Sequence, residues 1–195
     1  MEIREDIVKA AAHVFSRDGY QRATLEDVAQ LVGIKKGSLY HHISSKEDLL
    51  FAIHDRLADE LIANTRAALQ GAETPADRLR RIMRVSMRLI AEHQEEVTVF
   101  LHERHTLTSE RWQAVVAKRD EYEQIVAGVL AEGIEAGVFR PLPVRASTLG
   151  ILGMINWGYQ WFRPDGPLSA DEIADLFTDI VLDGVRRRDS AGGKE

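Results

Sequence analysis

The chain contains no cysteine. That excludes disulfide staples, thiolate nucleophiles, cysteine-based zinc sites and iron–sulfur clusters, and it fits a reducing compartment. Long hydrophobic runs are missing as well. The most apolar stretch, residues 147–162, is broken by Gly150, Gly153, Asn156, Gly158 and Gln160 and falls short of the ~20 apolar residues that a bilayer crossing needs. The opening MEIREDIVKAAAHVF mixes acids with bases and lacks the basic start and apolar core of a secretory leader. No segment alternates apolar and polar residues for long enough to make a half-buried strand. No Gly-rich phosphate loop or nucleophile elbow is present. These absences point to an all-α, soluble, cytoplasmic protein with no membrane partner, no cofactor and no enzyme signature.

What is present is ordinary in bulk. The 195 residues are 45 % hydrophobic and 29 % charged, enough chain for a sizeable core without staples. The net charge of −6 is unevenly spread. Residues 1–46 carry seven Lys/Arg against six Asp/Glu, and the remainder carries the acidic excess. An acidic body with a locally basic end remains compatible with DNA, because phosphate contact depends on the local patch.

The pattern is helical throughout and predicts nine helices. Ile3, Ile7, Ala11, Val14 and Phe15 share one face, and Asp18-Gly19 ends that helix. Thr24 with Asp27 has the spacing of a capping box with Asp in place of Glu, opening a second helix that Gly33 breaks. A short third segment spans Ile34–Ile43. Ser44 or Ser45 caps a long fourth helix reaching about Leu69. Pro75 opens a fifth, apolar nearly all round. Further helices are expected at about Glu95–His105, Ser109–Ala136 and Val144–Phe162, and from Ser169 to about Arg186. The expected division is a DNA-binding domain at 1–48, an effector and dimerisation domain at 49–188, and a frayed tail at 189–195.

The first three helices follow helix-turn-helix grammar, in which the second helix of the unit enters the major groove. Ile34, Leu39 and Ile43 can point inward; Lys35, Lys36, Ser38, Tyr40 and His41 can point outward. Gly37 would let the helix approach a duplex closely. Lys46 lies at the start of helix four, where free N–H groups also favour phosphate. Spacing alone leaves a competing interpretation open: any small helical bundle carries lysines on a solvated face.

TLEDVAQLVGIKKGSLYHHISSKEDLL closely resembles the DNA-binding signature of TetR-family transcriptional repressors. The match covers about residues 3–53, with Ile43 where many members carry phenylalanine. The resemblance implies a phosphate-facing hydroxyl at Thr24, base-edge or phosphate contacts from Lys35, Lys36 and Ser38, backbone contacts from Tyr40 and His41, and a phosphate partner in Lys46. Most such contacts position a protein and only a few specify sequence. Tyr40 also reads as a packing residue, and His42 as facing the fourth helix. The implied DNA partner is a double-stranded operator with an inverted repeat.

The resemblance further implies that the remaining helices bind a small effector and form a homodimer. Ala146, Gly150 and Gly153 permit close helix approach, and Leu149, Leu152 and Ile155 supply area. Leu176, Phe177, Ile180, Val181 and Gly184 form a matching stripe. The two stripes can meet between subunits or close an intramolecular core. Met83, Met87, Phe100, Trp112, Tyr122 and Met154 are bulky apolar candidates for a ligand tunnel, with Trp157, Tyr159, Trp161 and Phe162 beside Arg163. Each of them alone also reads as core. VFLHERHTLTSERW and GMINWGYQWFRPDGPLSADEIADLFTDIVLDGV are similar to the bodies of TetR-type repressors of fatty-acid and sterol degradation. That likeness implies a long-chain acyl-CoA effector, with Arg163 available to CoA phosphate or pantetheine groups. Other expectations are a TetR-type regulator of an efflux or other catabolic operon, and a helical ligand-binding protein without DNA binding. His93, His102, Glu103 and His105 lack the pattern of a known metal site, and no metal is expected.

Overall fold

The computed structural model describes residues 3–103 and 106–185. Among them are ten helical segments and no β-strand: α1 (Ile3–Asp18), α2 (Leu25–Val32), α3 (Lys36–Leu39), α4 (Lys46–Leu69), α5 (Pro75–Glu92), α6 (Gln94–His102), α7 (Ser109–Glu135), α8 (Val144–Asn156), α9 (Gly158–Trp161) and α10 (Ala170–Val185). No described helix is long and apolar enough to cross a membrane. The expected tail and the end of the last helix near Arg186 lie outside the described residues.

The chain divides into two compact units, which are not split at residue 48. The first runs through Glu60 and takes in His93–Arg119; the second takes Leu61–Glu92 and the chain from Asp120 onward. The reason is packing. α6 lies against α1, so Val99, Leu107 and Val115 join the core of Ile7, Phe15, Leu39, Leu49 and Ile53. In the second unit α5 packs on α10, α8 and α9.

Local chemistry sets most boundaries. Thr24 caps α2 in the expected box: its hydroxyl accepts from the Asp27 amide at 3.2 Å, and the Asp27 carboxylate accepts from the Thr24 amide at 2.9 Å. Gly33 ends α2 at φ 76°, a left-handed conformation that costs glycine nothing. Ser169 and Glu172 repeat the box at the start of α10, the Ser169 amide donating at 2.8 Å and the Glu172 amide at 3.3 Å. Two expected helices are shorter or divided. The third segment is α-helical only over Lys36–Leu39 and tightens into turns whose Ile43 amide donates to Leu39 at 3.2 Å. The predicted Val144–Phe162 helix breaks at Trp157, and Phe162 turns extended at ψ 135°.

α5 and α10 run antiparallel, joined by a ladder of arginines and aspartates. Arg84 holds Asp175 at two points, 2.8 and 2.6 Å; Arg88 holds Asp171 at two points of 2.6 Å; Arg80 reaches Asp179 at 2.7 Å. Beneath the ladder lie Ile82, Met83, Ile173 and Ala174.

Candidate functional site

The helix-turn-helix in the first unit is built by an apolar inner face and a polar outer one. Leu39 is fully buried and Ile43 nearly so, while Lys35, Lys36, Gly37, Ser38, Tyr40 and His41 are all exposed. Tyr40 is 51 % exposed, so it serves no packing role here, and His42 is half-buried. A Cβ at Gly37 would meet nothing; the glycine leaves this surface open rather than relieving a crowded one. The Lys36 ammonium lies 3.5 Å from Glu26, an exposed pair that water and phosphate can both compete for. The Thr24 hydroxyl, besides capping, donates to Asp27 at 2.6 Å. That hydroxyl, followed by the Thr24 amide, holds the Asp27 carboxyl below the usual range.

Lys46 occupies a different position from the one its sequence neighbourhood implies. Its ammonium donates to the main-chain carbonyls of Tyr20 at 2.7 Å, Ala23 at 3.0 Å and Gln21 at 3.4 Å. It also lies over the Tyr20 ring. The cation clips the α1–α2 loop to the start of α4, with its three N–H donors directed at protein carbonyls.

The ligand candidates are not gathered in one place. Met83, Met87 and Tyr122 are buried in the second unit, with Met154 half-buried. Tyr122 hydrogen bonds Ser86 at 2.6 Å, and burial pushes its phenol up to about 12 despite that bond. Phe100 and Trp112 pack against the core of the first unit. Trp157 and Trp161 face outward at 62 % and 43 % exposure, and Arg163 is exposed. Trp161 stacks edge-on with Phe177 at 6.0 Å.

The two apolar stripes also separate. Leu149, Leu176 and Ile180 are exposed, Leu152 and Phe177 are half-buried, and Gly184 is open. Val181 belongs instead to the interior of the unit, at 8 % exposure.

Of the histidines weighed for metal, His93 reaches Glu96 through Nδ1 at 2.6 Å and Glu60 through Nε2 at 3.0 Å. Arg56 bonds both of those carboxylates. This is a charge-balanced network with both imidazole nitrogens engaged. His105 lies outside the described residues. One residue that the sequence patterns passed over is His54, fully buried on α4. It stands four residues after Leu50 and three before Leu57, on the inward face, and that spacing was its available signal.

Residues 7–53 match the family described as bacterial regulatory proteins, tetR family, and residues 72–185 match the Tetracyclin repressor-like C-terminal domain. The chain belongs to the TetR family. It is 30 % identical over 186 residues to the HTH-type transcriptional repressor KstR2 of Mycobacterium tuberculosis, covering 94 % of this chain and 93 % of that one. The solved structure of that ketosteroid transcriptional regulator superposes with a TM-score of 0.89 over 96 % of each chain. PfmR from Thermus thermophilus is 36 % identical, with a TM-score of 0.85 over 93 % of this chain and 99 % of that one. AibR, solved with isovaleryl coenzyme A and operator DNA, is 31 % identical, with a TM-score of 0.84 over 93 % and 98 %. This TetR-family chain is therefore a transcriptional regulator and not an enzyme, and its exposed Lys35–His41 segment is the recognition element of the helix-turn-helix.

Proposed function

We propose that this regulator is a cytoplasmic homodimeric repressor of fatty-acid or related lipid catabolism genes, released from an inverted-repeat operator by an acyl-CoA. The observation that carries the reading is the likeness to AibR, which was solved with both isovaleryl coenzyme A and operator DNA. The likeness to KstR2, a ketosteroid regulator, supports a lipid-derived effector. Two exposed lysines and an open glycine on the recognition element support phosphate and base-edge contact. The exposed Leu149, Leu176 and Ile180 with open Gly150, Gly153 and Gly184 support a two-fold helix–helix interface.

In this reading Met83, Met87, Tyr122 and Met154 border the effector chain in the second unit, and exposed Arg163 meets a CoA phosphate. A long acyl chain is the preferred ligand. An effector acts by favouring one arrangement of the two DNA-binding heads over another. A coupling of about 1–3 kcal/mol changes operator affinity roughly 5–150-fold. The test is titration of the operator complex with acyl-CoAs of increasing length, the matching free acids, and CoA alone. Acyl-CoA should dissociate the complex, and Arg163→Ala should weaken that response while leaving DNA affinity intact. Release by an unrelated apolar compound and by no acyl-CoA would assign the regulator to a different operon class.

A further inference from the structure

His54 has both ring nitrogens without a hydrogen-bond partner, although its side chain is wholly excluded from solvent. Buried polar groups in folded proteins nearly always find partners, and an unpaired one calls for a specific reason. Its surroundings are chemically selective. The Phe100 ring lies 4.9 Å from the imidazole at a 38° tilt. The Arg119 guanidinium sits 5.8 Å from the centre of that same Phe100 ring and 6.0 Å from that of Trp112. Burial, followed by the positive charge of Arg119, lowers the imidazole to about 4, so His54 is neutral at ordinary pH. A neutral imidazole offers one N–H donor and one acceptor nitrogen. Phe100, Trp112 and Arg119 are each only partly buried, so this wall of the first unit is reachable from solvent on the side away from His54.

We propose that His54 is the polar anchor of a ligand site in the first unit, bounded by Phe100, Trp112 and Arg119, that takes the carbonyl or carboxylate end of an acyl compound. The imidazole N–H donates to the acyl oxygen. The Arg119 cation favours an acceptor carrying full or partial negative charge, and the two aromatic rings accept the first carbons of the chain. Thioester and free acid present the same acceptor chemistry here. The inference rests on the effector reading above only for its choice of acyl ligands.

The experiment compares wild type, His54→Leu and His54→Gln, using octanoyl-CoA and octanoate as probes. Thermal unfolding reports binding, and histidine ring 15N NMR reports the imidazole itself. His54→Leu removes an unpaired polar group and should raise the melting temperature of the free protein. It should also lose roughly tenfold in affinity for the acyl probe, the usual size of one lost hydrogen bond. His54→Gln, which keeps a donor, should retain more affinity than His54→Leu. In wild type the probe should move the His54 15N signals; a response to octanoate alone assigns the site to free acids, and one to octanoyl-CoA alone to thioesters. If octanoyl-CoA releases operator DNA yet both variants bind it as wild type does, the anchor is wrong and the effector reading stands. If octanoate moves His54 while no acyl-CoA releases DNA, the anchor stands and the effector reading falls. If neither probe moves His54, the anchor is overturned.

Discussion

The Lys46 ammonium donates to the Tyr20 carbonyl at 2.7 Å while sitting 4.3 Å from the centre of the same residue's ring. One side chain therefore closes the loop between α1 and α2 through both main chain and aromatic face. Lys46→Met should lower the melting temperature, the loss of a charged hydrogen bond costing about 1.5–3 kcal/mol. It should leave the salt slope of operator binding unchanged. Lys36→Ala should reduce that slope by about one unit, as a phosphate contact does. A reduced slope with unchanged stability in Lys46→Met would make Lys46 a phosphate ligand after all.

Removing the Thr24 hydroxyl should unfasten both halves of the α2 cap. Thr24→Ala is expected to cost about 1 kcal/mol in urea unfolding. Because that hydroxyl helps hold the Asp27 carboxyl low, the wild-type cap stabilises above the ordinary aspartate range and fades as pH falls through the lower folded value. The gap between variant and wild type should therefore shrink in acid. A gap that stays constant down to low pH would show that the Asp27 side contributes nothing.

His93 gives the opposite sign. Its hydrogen bond to Glu96 raises its pKa above the ordinary 6.5, against the effect of burial. Its stabilising share is present in full below that ordinary value and is lost as pH rises through the raised folded value. Unfolding midpoints should fall on going from mildly acidic to alkaline buffer, and His93→Gln should flatten that trend. An unflattened trend would transfer the pH dependence to other groups.

Two neighbouring residues separate interface from interior. Ile180 is 55 % exposed and Val181 is 8 % exposed. Ile180→Glu should give a folded monomer by light scattering, with weakened operator binding. Val181→Glu should fail to fold, because it buries an unpaired charge. A dimer that persists in Ile180→Glu would move the interface elsewhere.

Gly133 offers a packing test at the end of α7. A Cβ there would collide with the buried Phe139 ring, whose own amide donates to the Gly133 carbonyl at 2.8 Å. Gly133→Ala should destabilise by about 1–3 kcal/mol, despite alanine's better helix propensity. A more stable Gly133→Ala protein would mean that Phe139 can leave its site freely.

Sequence reading succeeded where the signal was local. Thr24 with Asp27, Ser169 ahead of α10, Pro75 and Gly33 each act on a neighbouring amide, so their roles follow from spacing alone. It succeeded again at Leu39 and Ile43, where a two-sided pattern separates core from surface. It failed where pairing is long-range. Nothing in the order of residues says that α6 will lie on α1, which is why Phe100 and Trp112 end up in the first unit. The apolar run through Trp157 and Trp161 has too little polar contrast to orient a helix, and both rings face outward. Lys46 was misplaced because its partners are carbonyls, which every residue possesses and no sequence pattern displays.

The arginine–aspartate ladder between α5 and α10 repeats every four residues on both helices. If one helix slid past the other by a turn, about 5.4 Å, two of the three rungs would re-form with the next partner along. The electrostatic difference would be about one partly exposed pair, roughly 1 kcal/mol or less. Charge thus sets the antiparallel sense of the two helices but discriminates poorly between adjacent rungs. The vernier is apolar: Thr178, set beside Met83 at 3.3 Å, and fully buried Ala174 accept one alignment. Mutations beneath the ladder should therefore misalign the helices, whereas removing a single rung should leave them in place.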